Sequence, residues 1–124
     1  MRAERRSSGL LRVPFVQACR LAFSDGRALT GFLVNINILG AYVAAEHGQF
    51  PALGETLVCS FRTPENDIEL MIPCAVAWVN AHQSHPVHSL PPGFGVRFDA
   101  LAGTDLRRVQ DVVDAYIKRH PGAR

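Results

Sequence analysis

The residues best placed to bind a ligand are side-chain amides that lie in one short stretch. Asn35 and Asn37 stand two positions apart, Gly40 follows three positions later, and apolar runs flank all three. Amide side chains favour turns, where they hydrogen-bond to nearby backbone, and glycine allows a positive φ or a close approach to its backbone. The stretch therefore predicts a strand, a polar corner and a second strand, with two amides at one rim of a sheet. A simpler interpretation is a hairpin corner whose amides satisfy only their own backbone.

A second polar feature is the basic start of the chain. Glu4 is the one acid there, against four arginines in the first twelve positions: Arg2, Arg5, Arg6 and Arg12. We expect residues 1–11 to form a flexible basic arm that precedes the folded domain. The simpler interpretation is a solvated, frayed terminus, as in most domains.

Length and composition limit the kind of protein. The 124 residues are enough for one domain with a real core, and the 48% hydrophobic and 19% charged residues are typical of globular proteins. A net charge of +2 is too small to indicate bulk binding of DNA or RNA. No apolar run approaches the ~20 residues that span a bilayer, and no signal peptide is visible. We therefore expect neither nucleic-acid binding nor membrane insertion.

The thiols and histidines offer little evidence of a catalytic or metal site. Cys19, Cys59 and Cys74 are odd in number and lack a CxxC spacing, which predicts buried thiols in a reducing compartment and hence a cytoplasmic protein. Three histidines share a regular spacing in a proline-containing loop: His82, His85 and His88. They have no neighbouring Cys or carboxylate ligand, so a solvated loop is favoured over a metal site. We find no catalytic set and expect no enzyme and no cofactor.

Alternating apolar residues and turn signals predict six strands. Their predicted bounds are Val13–Phe23, Ala28–Val34, Ala41–Ala45, Glu55–Arg62, Ile68–Val79 and Gly93–Phe98. Pro73 predicts a bend or bulge in the fifth strand, and Trp78 is expected in the core or beneath the helix. Strands separated by short turns indicate a small barrel or a sandwich.

The spacing of apolar residues becomes helical near the end of the chain. Thr104 is suited to cap a helix, and Asp105 favours its first turn. The following apolar residues fall on one face: Leu106, Val109, Val112, Val113, Tyr116 and Ile117. We expect one domain over residues 12–120 with a terminal helix at about 104–120. This apolar face should dock on the barrel, although a partner or homodimer surface is the alternative.

Several of these features, in this order, resemble the PilZ domain. They are the Arg-Val-Pro that ends the arm, the Asn-x-Asn-x-x-Gly corner, Trp78-Val79-Asn80, and the closing Gly93–Phe98 segment. The resemblance extends from about Arg5 to Tyr116. It implies an all-β dominated bacterial fold, a six-stranded antiparallel β-barrel with a C-terminal α-helix.

The resemblance also implies a ligand, cyclic di-GMP. PilZ domains bind it with an Arg-x-x-x-Arg motif in the arm and an (Asp/Asn)-x-Ser-x-x-Gly motif at the barrel rim. The arginines suit phosphates and guanine edges, the amides would bond guanine or ribose edges, and the glycine would leave room. The implied ligand-binding residues in this chain are Arg5, Arg6, Arg12, Asn35, Asn37 and Gly40.

This chain departs from the family pattern at two positions. Ser8 stands four residues before Arg12, where the family has its first arginine, and Asn37 replaces the serine. The leading expectation is a cyclic di-GMP receptor or adaptor that relays the signal to a protein partner. The alternative is a PilZ-like interaction module that binds no nucleotide, for instance in motility or polysaccharide machinery. A third, remoter interpretation is an unrelated small barrel with another ligand.

Overall fold

The computed structural model describes residues 12–45, 50–64, 67–80 and 90–123. These residues form six strands, one α-helix and a final 3₁₀ turn at Pro121–Ala123. In chain order the elements are β1 (Val13–Phe23), β2 (Ala28–Ile36), β3 (Gly40–Ala44), β4 (Thr56–Thr63), β5 (Ile68–Asn80), β6 (Gly93–Phe98) and α1 (Gly103–Arg119). The strands close into a barrel in the order β1-β2-β3-β6-β5-β4, and every neighbouring pair is antiparallel. The expected six-stranded barrel with a C-terminal helix is confirmed.

The barrel interior is filled by alternate residues of each strand and by one face of α1. The helix buries Val109, Val112 and Val113 against this core, and Tyr116 and Ile117 pack beside them, partly buried. Removing such side chains from water stabilises the fold by about 1.5–3 kcal/mol each. The predicted apolar face of the helix is therefore docked on the barrel.

The three thiols lie inside this core. Cys19, Cys59 and Cys74 are all buried and free. Burial raises the pKa of the Cys74 thiol to about 12, so this group is protonated at neutral pH and lacks the thiolate needed for nucleophilic chemistry. The prediction of buried thiols is confirmed.

The start of α1 differs from the prediction. Ala102, not Thr104, is the N-cap residue, and it provides no side-chain cap hydrogen bond. The first helical bond runs from the Leu106 N–H to the Ala102 carbonyl at 3.3 Å, which places Thr104 inside the first turn. Gly103 makes this earlier start possible because its φ of +60° lies in the left-handed region, which glycine adopts at little cost.

The irregularity of β5 also lies elsewhere than predicted. Pro73 pairs in register with Val58 of β4, and the register shift falls between Val76 and Trp78, against β6. The Pro73 carbonyl accepts the Asp99 N–H at 2.8 Å, just beyond the end of β6. A strand residue directs its N–H and carbonyl to the same neighbour, so the missing proline N–H falls where β6 has already ended. Pro73 therefore needs no bulge.

Candidate functional site

The candidate site lies on the outside of the barrel, where β2 approaches its end. The register shifts between Leu33 and Asn35 in the pairing of β2 with β3, and between Pro14 and Gln17 in the pairing of β1 with β2. A bulge of this kind changes the direction of the side chain that follows it. Asn35 pairs with Pro14 and is therefore a residue of β2, whereas the sequence predicted that it lies in the corner after the strand.

Arg12 contacts Asn35 directly. It lies two residues before Pro14, and its Nη1 donates a hydrogen bond to Asn35 Oδ1 at 3.1 Å. Arg12 is exposed, but the nearby protein removes part of the water around its guanidinium and lowers the pKa of Arg12 from its ordinary value; a guanidinium nevertheless stays charged in proteins. Because the acceptor is a neutral amide, the contact orients the guanidinium without cancelling its charge. Among the described residues this bond uses one of the five N–H donors of the guanidinium, and the others are placed to meet an anion.

Asn37 holds the corner between β2 and β3. The residue is 3% exposed, and its Oδ1 accepts the backbone N–H of Leu39 at 2.8 Å and of Gly40 at 3.1 Å. Its own N–H donates to the Gly40 carbonyl at 2.9 Å. An amide that bonds backbone two residues ahead reverses the chain as a turn does. The Asn37 oxygen therefore has the structural task that the simpler interpretation expected, and a ligand contact by Asn37 stays a prediction.

Gly40 is required by the packing of two strands. It pairs with Arg97 of β6, and a Cβ at this position would overlap the carbonyl oxygen of Val96. The φ of Gly40 is not in the left-handed region. Of the two reasons that the sequence offered for this glycine, close approach is the correct one.

A row of paired residues leads from Asn35 across the outer face. Asn35 pairs with Tyr42 of β3, Tyr42 with Gly95 of β6, and Gly95 with Trp78 of β5. Paired residues share one face of a sheet, and neighbouring strands are about 4.8 Å apart. The indole of Trp78 covers Gly95, and its ring centroid lies 5.3 Å from that of Tyr42. The aromatic pair thus extends the site away from Arg12.

Trp78 is neither in the core nor beneath the helix, which corrects the expectation. Its exposed fraction is 36%. Val76 faces the core. In a regular strand Trp78, two positions later, would face the core as well. The bulge between the two residues reverses this alternation and turns Trp78 outward. The sequence did contain one signal: Gly93 and Gly95 stand two apart. Glycines at that spacing leave one face of a strand bare, to be covered by a large neighbour.

Tyr42 is fixed by a hydrogen-bond network beneath this surface. Its hydroxyl donates to the Pro91 carbonyl at 2.5 Å and accepts from Asn80 Nδ2 at 3.2 Å. Burial raises the pKa of Tyr42 above its ordinary value of 10, so the phenol remains a neutral donor at neutral pH. The backbone of Tyr42 is fixed in β3 and its hydroxyl is fixed by these two hydrogen bonds, so its ring is a rigid support for the Trp78 ring.

The comparisons with known proteins agree with this geometry. The family model described as the PilZ domain matches residues 2–115. This chain belongs to the PilZ family. The family comprises cyclic di-GMP receptors and adaptors, which are binding modules rather than enzymes. A search of the curated proteins found no match.

Three solved structures are similar to this PilZ domain. The PilZ domain with c-di-GMP of YcgR from Escherichia coli is 12% identical, with a TM-score of 0.70, and the match covers 88% of this chain and 90% of that one. The inhibitor of motility MotI/DgrA from Bacillus subtilis is 16% identical with a TM-score of 0.71, covering 88% of this chain and 51% of that one. The PilZ domain of CeSA from a cellulose-synthesizing bacterium is 14% identical with a TM-score of 0.55, covering 87% and 96%. At these identities the likeness shows a shared fold.

Several predicted residues lie outside the described part of the chain. They are Arg2, Arg5, Arg6 and Ser8 of the arm, and His82, His85 and His88. Among the residues that the structure describes, no three His, Cys, Asp or Glu side chains are grouped to hold a metal ion. Over the same ranges no helix has the length and apolar character to cross a membrane.

Proposed function

We propose that this PilZ domain is a cyclic di-GMP receptor whose ligand binds to the outer face beside Arg12 and Asn35. One observation carries the proposal: the 3.1 Å hydrogen bond from Arg12 to Asn35 joins the residue that follows the basic arm to the first residue of the rim motif. The two segments that the family uses for its ligand are thus already in contact. They present a full positive charge, whereas the ligand carries two phosphate anions.

Arg12 is the principal anion-binding group in this proposal. Its remaining N–H donors suit a phosphate or the O6 and N7 acceptors of guanine, both of which an arginine contacts with two parallel bonds. A hydrogen bond that involves a charged group contributes about 1.5–3 kcal/mol. Arg5 or Arg6 of the arm would supply the second guanidinium, in place of the arginine that Ser8 replaces.

The three rim residues, Asn35, Asn37 and Gly40, would each contribute differently to ligand binding. Asn35 is partly buried and lies beside Arg12, so its amide is placed to bond a guanine or ribose edge of a ligand held by that arginine. Asn37 would act mainly by fixing the corner between β2 and β3 beside the ligand. A contact with guanine would be its second role. Gly40 would leave the backbone clear for the ligand, in addition to its packing against β6.

Trp78 adds a stacking surface to these polar groups. Its ring is partly exposed and rests on Tyr42 and Gly95. Stacking of a base on an aromatic side chain contributes about 1–3 kcal/mol. A guanine that lies on Trp78 while its phosphate reaches Arg12 would use the whole row of outer-face residues.

The signal would pass to a protein partner through the ordering of the arm. An arm that closes over a bound nucleotide changes the outer surface of a small barrel, and such transitions are common in signalling proteins.

Isothermal titration of the whole chain with cyclic di-GMP tests the proposal, with GTP as the nucleotide control. Selective binding at micromolar concentration or tighter supports it, provided that Arg12→Ala weakens the affinity and Arg107→Ala does not. Arg107 is a matched control because it is an exposed arginine of α1. Absence of binding at several hundred micromolar would overturn the proposal in favour of an interaction module without a nucleotide.

A further inference from the structure

The barrel is open along part of one strand pair. β1 and β4 pair over Arg20–Phe23 and Leu57–Ser60, and beyond Arg20 and Ser60 the paired register ends. A cleft of about 570 Å³ lies there, lined in part by Gln17–Cys19 of β1 and Phe61–Arg62 of β4. We call these two segments the β1–β4 seam.

Among the residues that the structure describes, each segment of the seam pairs only with the strand on the side away from the cleft. Gln17 and Cys19 pair with Leu33 and Gly31 of β2, and Arg62 pairs with Glu69 of β5. Within the described chain, no residue of α1 lines the cleft. Strand edges that face a cleft in this way are templates for pairing with another extended chain.

The outer lip of the seam, formed by Val16 and Phe32, is apolar. Val16 is 76% exposed and Phe32 is 49% exposed. Phe32 pairs across the strands with Ala18, which itself lines the cleft, so the apolar surface continues from the lip into the seam. Covering it contributes about 25 cal/mol for each Å² of apolar area removed from water.

The charged groups at the seam are unevenly paired. Arg62 is 3.0 Å from Asp67 and 4.0 Å from Glu69, so two carboxylates offset its charge. Arg20 lines the same cleft, at the pair where the β1–β4 ladder ends, and makes no ion pair with any residue that the structure describes. A carboxylate arriving in the cleft would meet this uncompensated guanidinium.

We propose that the β1–β4 seam binds an extended segment of a partner protein. The segment adds as a strand to the exposed edges, packs apolar side chains against Val16 and Phe32, and places an Asp or Glu on Arg20. Backbone pairing supplies affinity that is independent of sequence, while the lip and Arg20 select an alternation of apolar and acidic residues. Arg12, Asn35 and Trp78 of the proposed nucleotide site do not line this cleft, so we expect this binding not to depend on cyclic di-GMP.

Selection from a displayed library of random eight-residue peptides against the whole chain tests the proposal. We expect the enriched peptides to have apolar residues at every second position and at least one Asp or Glu. Synthetic copies should lose affinity at least tenfold with Arg20→Glu and be unaffected by Arg107→Glu, the matched change on the exposed face of α1. Phe32→Ala provides a second variant, with a smaller expected loss, in case Arg20→Glu fails to fold.

Hydrogen exchange locates the binding surface. A bound peptide should slow the exchange of backbone amides in Gln17–Cys19 and Phe61–Arg62. The proposal is overturned if no peptide is enriched, if the peptides bind the Arg20 and Phe32 variants as tightly as the parent, or if protection falls elsewhere. It is also overturned if the free protein dimerises on ultracentrifugation and protects the same amides, since a second copy would then be the occupant.

Discussion

The two halves of the rim motif differ in what their side chains do. Asn37 is buried and commits its oxygen to two backbone N–H groups, and Gly40 is fixed by the approach of β6. Asn35 instead bonds the exposed Arg12 across two strands. Asn37 and Gly40 therefore stabilise the corner, whereas in our proposal Asn35 and Arg12 present hydrogen-bonding groups and charge to the ligand. In this proposal one short motif combines a structural and a binding role, and mutation should separate them.

Gly40→Ala should produce the largest effect, a loss of about 3 kcal/mol in the free energy of unfolding. The new Cβ would overlap the Val96 carbonyl and force β3 from β6, and overpacking of this kind costs about 1–3 kcal/mol. Urea unfolding measures the loss. Gly122→Ala is the matched control, because a Cβ there meets open space. Equal stability of the two variants would show that β3 and β6 tolerate separation.

Asn37→Ala should reduce the free energy of unfolding by about 2 kcal/mol, because it deprives the N–H groups of Leu39 and Gly40 of their acceptor. Asn35→Ala makes the same chemical change two residues away and removes one contact with an exposed arginine. Its loss should stay below about 0.5 kcal/mol, as for most surface substitutions. Thermal unfolding of the two variants tests whether Asn37 is the structural residue of the motif. A larger loss of stability for Asn35→Ala than for Asn37→Ala would contradict this assignment.

Arg12→Ala should weaken cyclic di-GMP binding by about 2 kcal/mol, or roughly 30-fold. The melting temperature of the free protein should stay unchanged, because Arg12 precedes β1 and its hydrogen bond to Asn35 is at the surface. Titration calorimetry with a parallel thermal scan separates the two quantities. Undiminished affinity would show that Arg12 does not contact the ligand.

Trp78→Ala should have the smallest effect, a loss of about 1 kcal/mol in binding free energy from the absent stacking surface. Trp78→Phe should recover part of this loss, since a smaller ring still rests on Tyr42. If both variants bind as the parent does, the aromatic pair on the outer face serves packing alone.

Strand positions and fold were predictable because their signals are local. Alternation and turn residues located all six strands to within two residues at each end, and the order of motifs indicated the closed barrel. The start of α1 was predicted wrongly because Thr104 has the chemistry of a cap, whereas the backbone of Gly103 lets the helix begin earlier.

The outward position of Trp78 could not be predicted from its own strand, because it depends on register; the one signal was the pair Gly93 and Gly95 on β6. A single bulge reverses which face a strand residue occupies, and no local pattern marked the bulge between Val76 and Trp78. The contact of Arg12 with Asn35 is likewise set by the pairing of β1 with β2. The sequence predicted which residues form the site more readily than how they meet.

The most direct test of the central claim is a ¹H–¹⁵N spectrum of the whole chain recorded during titration with cyclic di-GMP. We predict saturable shifts of the Arg12 Nε–H and Trp78 indole N–H signals, together with the Asn35 side-chain amide. Signals of the β1–β4 seam should stay in place. A titration that leaves Arg12 and Trp78 unmoved, or shifts other signals only, would contradict the assignment of this outer face as the ligand site.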